Sequence, residues 1–173
     1  MNRSLLALTT LALAAAAGLA AEPPHKLDKA KVLPLAIDDA FQFRKTKTYL
    51  FDPREPRLNQ PTYDAMSAFE RQRMTYGAVT QVDRRQRYGH YYDFFWRTNR
   101  PADVTVRFEY RQQHLGSYVQ AKEVDYKNVK GSQKTSFQVI GDDYDEEGKV
   151  TAWRAVIIEN GKIVALNQSF LWN

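Results

Sequence analysis

Between Val104 and Arg111 the chain alternates without a fault. Val104, Val106, Phe108 and Tyr110 are apolar, and Thr105, Arg107, Glu109 and Arg111 are polar. This period of two is what a β-strand with one buried and one wet face requires, because successive side chains leave a strand on opposite sides. Coiled into a helix, the same residues would scatter their apolar groups around the whole circumference.

The rest of the second half follows suit. Tyr88 to Trp96 places Tyr88, Tyr92, Phe94 and Trp96 on one side and Tyr91 and Phe95 on the other, which predicts a central strand. Arg100-Pro101-Ala102-Asp103 reads as a short turn that joins these two strands into an antiparallel hairpin. Strands are also expected at Tyr118 to Val129 and Thr135 to Ile140, split by Gly131-Ser132. The last hairpin is the clearest: Val150 to Glu159 and Lys162 to Trp172 flank Asn160-Gly161. That dipeptide accepts the left-handed conformations of a type I′ turn, whose twist matches a two-strand ribbon.

Six strands from Ala78 to Trp172, punctuated by turns, resemble an immunoglobulin-like or fibronectin type III-like antiparallel β-sandwich. The resemblance is architectural and covers residues 78 to 173. It implies a mainly β domain with an aromatic core between two sheet faces. Upstream, residues 32 to 77 read as an N-terminal extension. Within it Ala40 to Phe51 is an interrupted strand pattern, and Asp52 to Arg57, with two prolines, breaks it. Thr62 to Tyr76 is the one helix expected, capped by Thr62, with Tyr63, Met66 and Phe69 on one face and Gly77 at its end. Residues 21 to 31 are polar and proline-bearing, as a flexible tether is.

Met1 to Ala20 has the form of an export signal. Arg3 gives it a positive start, Leu5 to Leu19 an uncharged apolar stretch, and Gly18-Leu19-Ala20 small residues where a signal peptidase reads. The expectation is a periplasmic or secreted protein cut near Ala20. The alternative is an uncleaved N-terminal anchor, although the stretch falls short of the roughly 20 apolar residues a bilayer core demands. No later segment has spanning character. The chain has no cysteine, so disulfides, lipidated cysteines and thiol catalysis are excluded.

Net charge is +5 and unevenly spread: residues 22 to 100 hold 15 basic and 10 acidic side chains, and residues 101 to 173 hold 9 and 10. The tract from Arg84 to Arg100 concentrates this excess, with Arg84, Arg85, Arg87, Arg97 and Arg100 against Asp93 alone. Guanidinium forks recognise phosphates, sulfates and carboxylates, and exposed rings stack on sugars. Arg84, Arg85, Arg87, Tyr91, Trp96 and Arg97 are therefore the candidate ligand-binding residues for a glycan or other polyanion. The opposing reading is a packed core with a solvated basic rim. Nucleic acid is not expected as a partner.

Asp142-Asp143-Tyr144-Asp145-Glu146-Glu147-Gly148 has some of the spacing of a calcium loop, with Asp143, Asp145 and Glu147 as weak calcium ligands and glycine at the sixth position. Arg154 stands where a bidentate acid belongs, and a strand follows where a helix should. A plain acidic turn explains the segment as well. Catalytic patterns are sparse. His25, His90 and His114 are far apart in sequence, and no serine lies in a nucleophile elbow or a Ser-x-x-Lys frame. Acids such as Glu109, Glu123 and Asp125 alternate on strands, as solvent-facing acids do. The sequence thus points to an exported, non-enzymatic binding or structural module whose partner is another envelope or secreted protein. Polyanion binding through residues 84 to 100 is the alternative, and a small hydrolase of unrecognised type is a third.

Overall fold

The computed structural model describes residues 22–54, 69 and 72–172. Six antiparallel strands hydrogen-bond into one continuous sheet: β1 (His25–Leu27), β2 (Phe41–Phe51), β3 (Gly89–Gln112), β4 (Gln120–Ile140), β5 (Val150–Glu159) and β6 (Lys162–Gln168). Two short helices, α1 (Gln81–Arg85) and α2 (Asp142–Glu147), sit in the connections. The order is β1-β4-β3-β5-β6, and β2 also pairs with β3. The mainly antiparallel β character expected from the alternation is what the chain adopts.

The expected hairpin at Arg100-Pro101-Ala102-Asp103 is not a hairpin. β3 runs straight through it, and both of its halves pair with β4, whose own expected break at Gly131-Ser132 is likewise spanned. The segment bends the ribbon instead of reversing it. Pro101 has no N–H to give to a ladder, and the register shifts between Thr98 and Ala102. Opposite, Asn128 and Gly131 take positive φ of 49° and 85°, the conformations that let β4 follow the turn.

The bend creates the core. Tyr92 and Phe108 lie in the same strand, sixteen residues apart, a span of roughly 50 Å if extended. Their ring centroids are nevertheless 4.6 Å apart. The ribbon therefore doubles back, so that the inward faces of its two halves meet. One leaf holds β2, the first half of β3 and the second half of β4. The other holds β6, β5, the second half of β3, the first half of β4 and β1. Phe94, Trp96, Phe108, Tyr110, Phe137 and Ile157 are fully enclosed between them, each contributing about 1.5–3 kcal/mol relative to exposure.

The Asn160-Gly161 turn forms as expected, with φ of 51° and 72° between β5 and β6. β6 ends at Gln168, before Trp172. The chain then makes a tight turn at Phe170–Trp172 that lays the Trp172 ring under the guanidiniums of Arg111 and Arg154, at 4.8 and 5.1 Å. Of the expected helix over 62–76, residues 72–75 are helical and Met74 is buried; Tyr63 and Met66 lie outside the described residues, and Phe69 is exposed. The helix α1 was not expected. Its signal was present as Thr80-x-x-Asp83, a reciprocal capping box in which Thr80 Oγ1 accepts from the Asp83 N–H and Asp83 accepts from the Thr80 N–H.

Residues 22 to 51 are neither tether nor separate extension. His25–Leu27 pairs with β4, and β2 pairs with β3 along its whole length, so Ala78 marks no boundary in the sheet. Between β1 and β2 the chain crosses the outer face as a strap. The Lys31 carbonyl accepts from Arg107 (2.8 Å), Leu33 packs on Val156, Ile158 and Ile163, and Pro34, Ala36 and Asp38 bond the backbone of β6 at 2.9 to 3.0 Å. The strap thereby occupies an outer edge of β4 at one end and of β6 at the other. Beneath it lies a chain of charges: Glu123 to Arg107, Arg107 to Glu109, Glu109 to Arg154.

Candidate functional site

The basic aromatic tract is divided by the fold. Arg84 and Arg85 lie on α1 with Arg87 just beyond it, whereas Arg97 and Arg100 lie near the bend of β3. Arg97 lies eight strand positions beyond Gly89, where β3 begins, or roughly 26 Å from the α1 end. Arg100 is committed to structure, bonding Glu159 through both terminal nitrogens (2.6 Å each) and Asp38 (3.0 Å). The rings do not form a row on the surface. Trp96 is 1% exposed with its Nε1–H on Thr135 Oγ1, Tyr92 is 3% exposed, and Tyr91 is half-buried with its hydroxyl donating to the Arg87 carbonyl. Trp96 and Tyr91 are thus core and rim residues, which corrects their placement as a stacking platform.

What the fold does assemble is a cleft at the α1 end of the molecule. Arg54, Gln81, Val82, Arg84, Arg85 and Tyr88 line a space of about 630 Å³. Arg54 was not among the residues the sequence singled out, because it lies 30 positions upstream of Arg84. Its guanidinium grips Asp52 through Nε and NH2 (2.8 and 3.0 Å) and reaches Asp145 through NH2 (2.8 Å), while Arg85 Nε donates to the other Asp145 oxygen (2.6 Å). Burial alone would raise the carboxyl of Asp52; the bonds from Arg54, with one from the Tyr144 hydroxyl, outweigh it and hold Asp52 below its ordinary range. Asp145 behaves alike: burial opposes ionisation, and Arg85 and Arg54 overcome it.

The same contacts describe the segment offered as a calcium loop. The acidic segment is the helix α2, not an open loop, and its carboxylates are dispersed among different partners. Asp143 pairs with Lys26 and Lys122 at 3.3 Å each, Asp145 holds Arg54 and Arg85, and Glu147 accepts from the Gln120 amide. Acids early in a helix favour its positive end. Among the described residues no group of three or more His, Asp or Glu converges as metal ligands.

Next to the cleft the core ends in polar groups. His90 stacks on Tyr92 and meets Tyr144 edge-on, with ring centroids 6.1 and 5.8 Å away, and its buried Nε2 has no hydrogen-bond partner among the described residues. Burial pushes its imidazole down from 6.5 to about 4, with a smaller push from Lys149. The unfolded chain therefore takes up a proton near pH 6.5 that the folded protein refuses until about pH 4, so this contribution to stability is present above 6.5 and is lost as pH falls to 4. The size is about 3 kcal/mol. Urea midpoints at pH 7 and pH 4.5 check it: the native protein should lose most of that amount and His90→Phe much less, whereas equal losses would refute it.

No family model and no curated protein matches the sequence. A crystal structure from Akkermansia muciniphila is similar at a TM-score of 0.43 and 17% identity, over 75% of this chain and 68% of that one.

Proposed function

We propose that this protein is an exported, non-enzymatic binding module whose partner is another envelope or secreted protein, held as an extended acidic segment along β2. One observation carries the reading: β2 is paired on one side only among the described residues, and its three charged residues are all cations, Arg44, Lys45 and Lys47. The strap occupies edges of the larger leaf; of the two edges of the smaller leaf, β2 carries three cations, whereas Gln133–Ile140 of β4 carries Lys134 alone, so β2 is the edge that favours an acidic partner strand. Beside its first half, Ile37, Phe43 and Leu166 contribute to a groove of about 510 Å³, spanned by a hydrogen bond from Asn167 to Thr46 (2.7 Å). Beyond Thr46 no second strand pairs with β2 among the described residues.

Charge selects the partner. Antiparallel self-pairing centred on Thr46 would set Lys45 against Lys47 twice, which like charges directly opposite disfavour. The bulge at Arg44 further blunts indiscriminate pairing. An acidic strand meets neither obstacle. Binding is preferred to catalysis because the buried and half-buried carboxylates Asp52, Glu109, Glu123 and Asp145 are each held by a guanidinium, and to sugar stacking because the rings are enclosed. The fold is read here as a sandwich whose leaves are joined through the bends of β3 and β4, a connection unlike the separate sheets of immunoglobulin-like domains. The test is isothermal titration with a strand-forming peptide of alternating Glu and Val. Lys45→Glu with Lys47→Glu should weaken binding at least tenfold, about 1.4 kcal/mol, and unchanged affinity would refute the proposal.

A further inference from the structure

The cleft at α1 stands apart from the β2 edge, and its charges are arranged for a different task. Asp145, with its side chain only 10% exposed, fixes two guanidiniums at once. Neither guanidinium is used up. Arg54 spends Nε and NH2 on Asp52 and Asp145, and Arg85 spends Nε alone, so Arg54 NH1 and both terminal nitrogens of Arg85 carry no hydrogen bond among the described residues. The Arg84 side chain beside them makes neither a hydrogen bond nor an ion pair among the described residues. Carboxylates that hold arginines from behind leave the free edges pre-aimed, which lowers the ordering cost of binding an anion.

Among the described residues, these three guanidiniums against Asp52 and Asp145 leave one net positive charge. That balance fits a monoanion and gives a polyanion little to neutralise. The apolar part of the lining is Val82, 69% exposed. Tyr88 does not offer an open ring, because Arg54 lies over it at 5.4 Å and Phe51 abuts it edge-on at 5.5 Å, so a sugar finds no platform. We infer that the cleft is a binding site for a single carboxylate carried next to a small apolar group, as at a peptide chain end with an aliphatic last residue or in a short branched fatty acid.

Titration calorimetry on the full folded protein tests this with four probes: a tetrapeptide ending in valine with a free carboxylate, the same peptide amidated, isovalerate, and a heparin oligosaccharide. The free-acid peptide should bind and amidation should weaken it at least tenfold. Arg84→Ala should weaken it at least fivefold; because Arg84 takes part in no ion pair, its thermal midpoint should not move. Arg85→Ala should do at least as much, and Lys45→Glu with Lys47→Glu should leave binding unchanged, which separates this site from the β2 edge. Isovalerate binding as well as the peptide would identify the natural occupant as a small free acid, and a preference for the peptide as a chain end; both sustain the monocarboxylate site. Indifference to amidation, tighter and steeply salt-dependent binding of heparin, or no binding of any probe would overturn it.

Discussion

Phe108→Ala is expected to cost about 3–5 kcal/mol of folding stability, a large part of the 5–15 kcal/mol typical of a whole domain. Phe108 has no exposed surface, and its ring centroid lies 4.6 Å from Tyr92, 5.7 Å from Phe94, 5.1 Å from Tyr110 and 5.3 Å from Phe137. Those neighbours come from both halves of β3 and from the second half of β4. A smaller side chain there opens a void at the contact that holds the bent ribbon closed, and rigid strands cannot collapse to fill it. The denaturant midpoint should fall with little change in the slope, the pattern of lost stability without a changed native compactness. Phe170→Ala is the contrast, because Phe170 is 91% exposed and should shift stability by no more than about 0.5 kcal/mol.

Arg107→Met should be nearly as costly, for an electrostatic reason. The Arg107 side chain is 9% exposed and faces Glu123 and Glu109, which are 14% and 5% exposed. Methionine fills much of the volume but, among the described residues, leaves Glu123 with only His25 Nε2 at 3.9 Å, and Glu109 with Arg154 alone. Removing one partner from a buried charge network costs about 3–5 kcal/mol, because the remaining charge has lost its water as well as its partner. The Lys31 carbonyl also loses its donor, so limited trypsin digestion should cut faster after Lys29 or Lys31. Adding Glu123→Gln removes the stranded charge and should recover much of the loss. A single variant as stable as the native protein would show that the network carries no weight.

How much of this was legible in the sequence depends on the range of the interaction. The Val104–Arg111 strand and the Asn160-Gly161 turn were readable because period and turn chemistry are local. The bend in β3 was misread as a reversal, since Arg100-Pro101-Ala102-Asp103 is composed like a turn. A clue lay in parity: Tyr92, Phe94, Trp96, Val104, Val106, Phe108 and Tyr110 are all even-numbered, and all are buried. One strand passing through a bend keeps that phase. The strap escaped notice because its contacts, Leu33 on Val156 or Lys31 on Arg107, join residues far apart in the chain. The cleft was half visible: Arg84 and Arg85 stood out as neighbours, but Arg54 and Asp145 are brought to them only by the closing of β2 and α2 onto the same end. The aromatic side chains that looked available for a ligand are needed to fill the space between the leaves, and nothing in a local window distinguishes the two uses.

An open, cationic β2 edge has a signature in amide hydrogen exchange measured residue by residue along Phe41–Phe51. In the free protein, amides bonded to β3 should exchange slowly, and those between them on the open stretch after Thr46 should exchange fast. Adding the Glu-Val peptide should slow the fast set and leave the larger leaf unchanged. Uniform protection of β2 in the free protein, or peptide-induced protection confined to another strand, would show that β2 is not the docking edge.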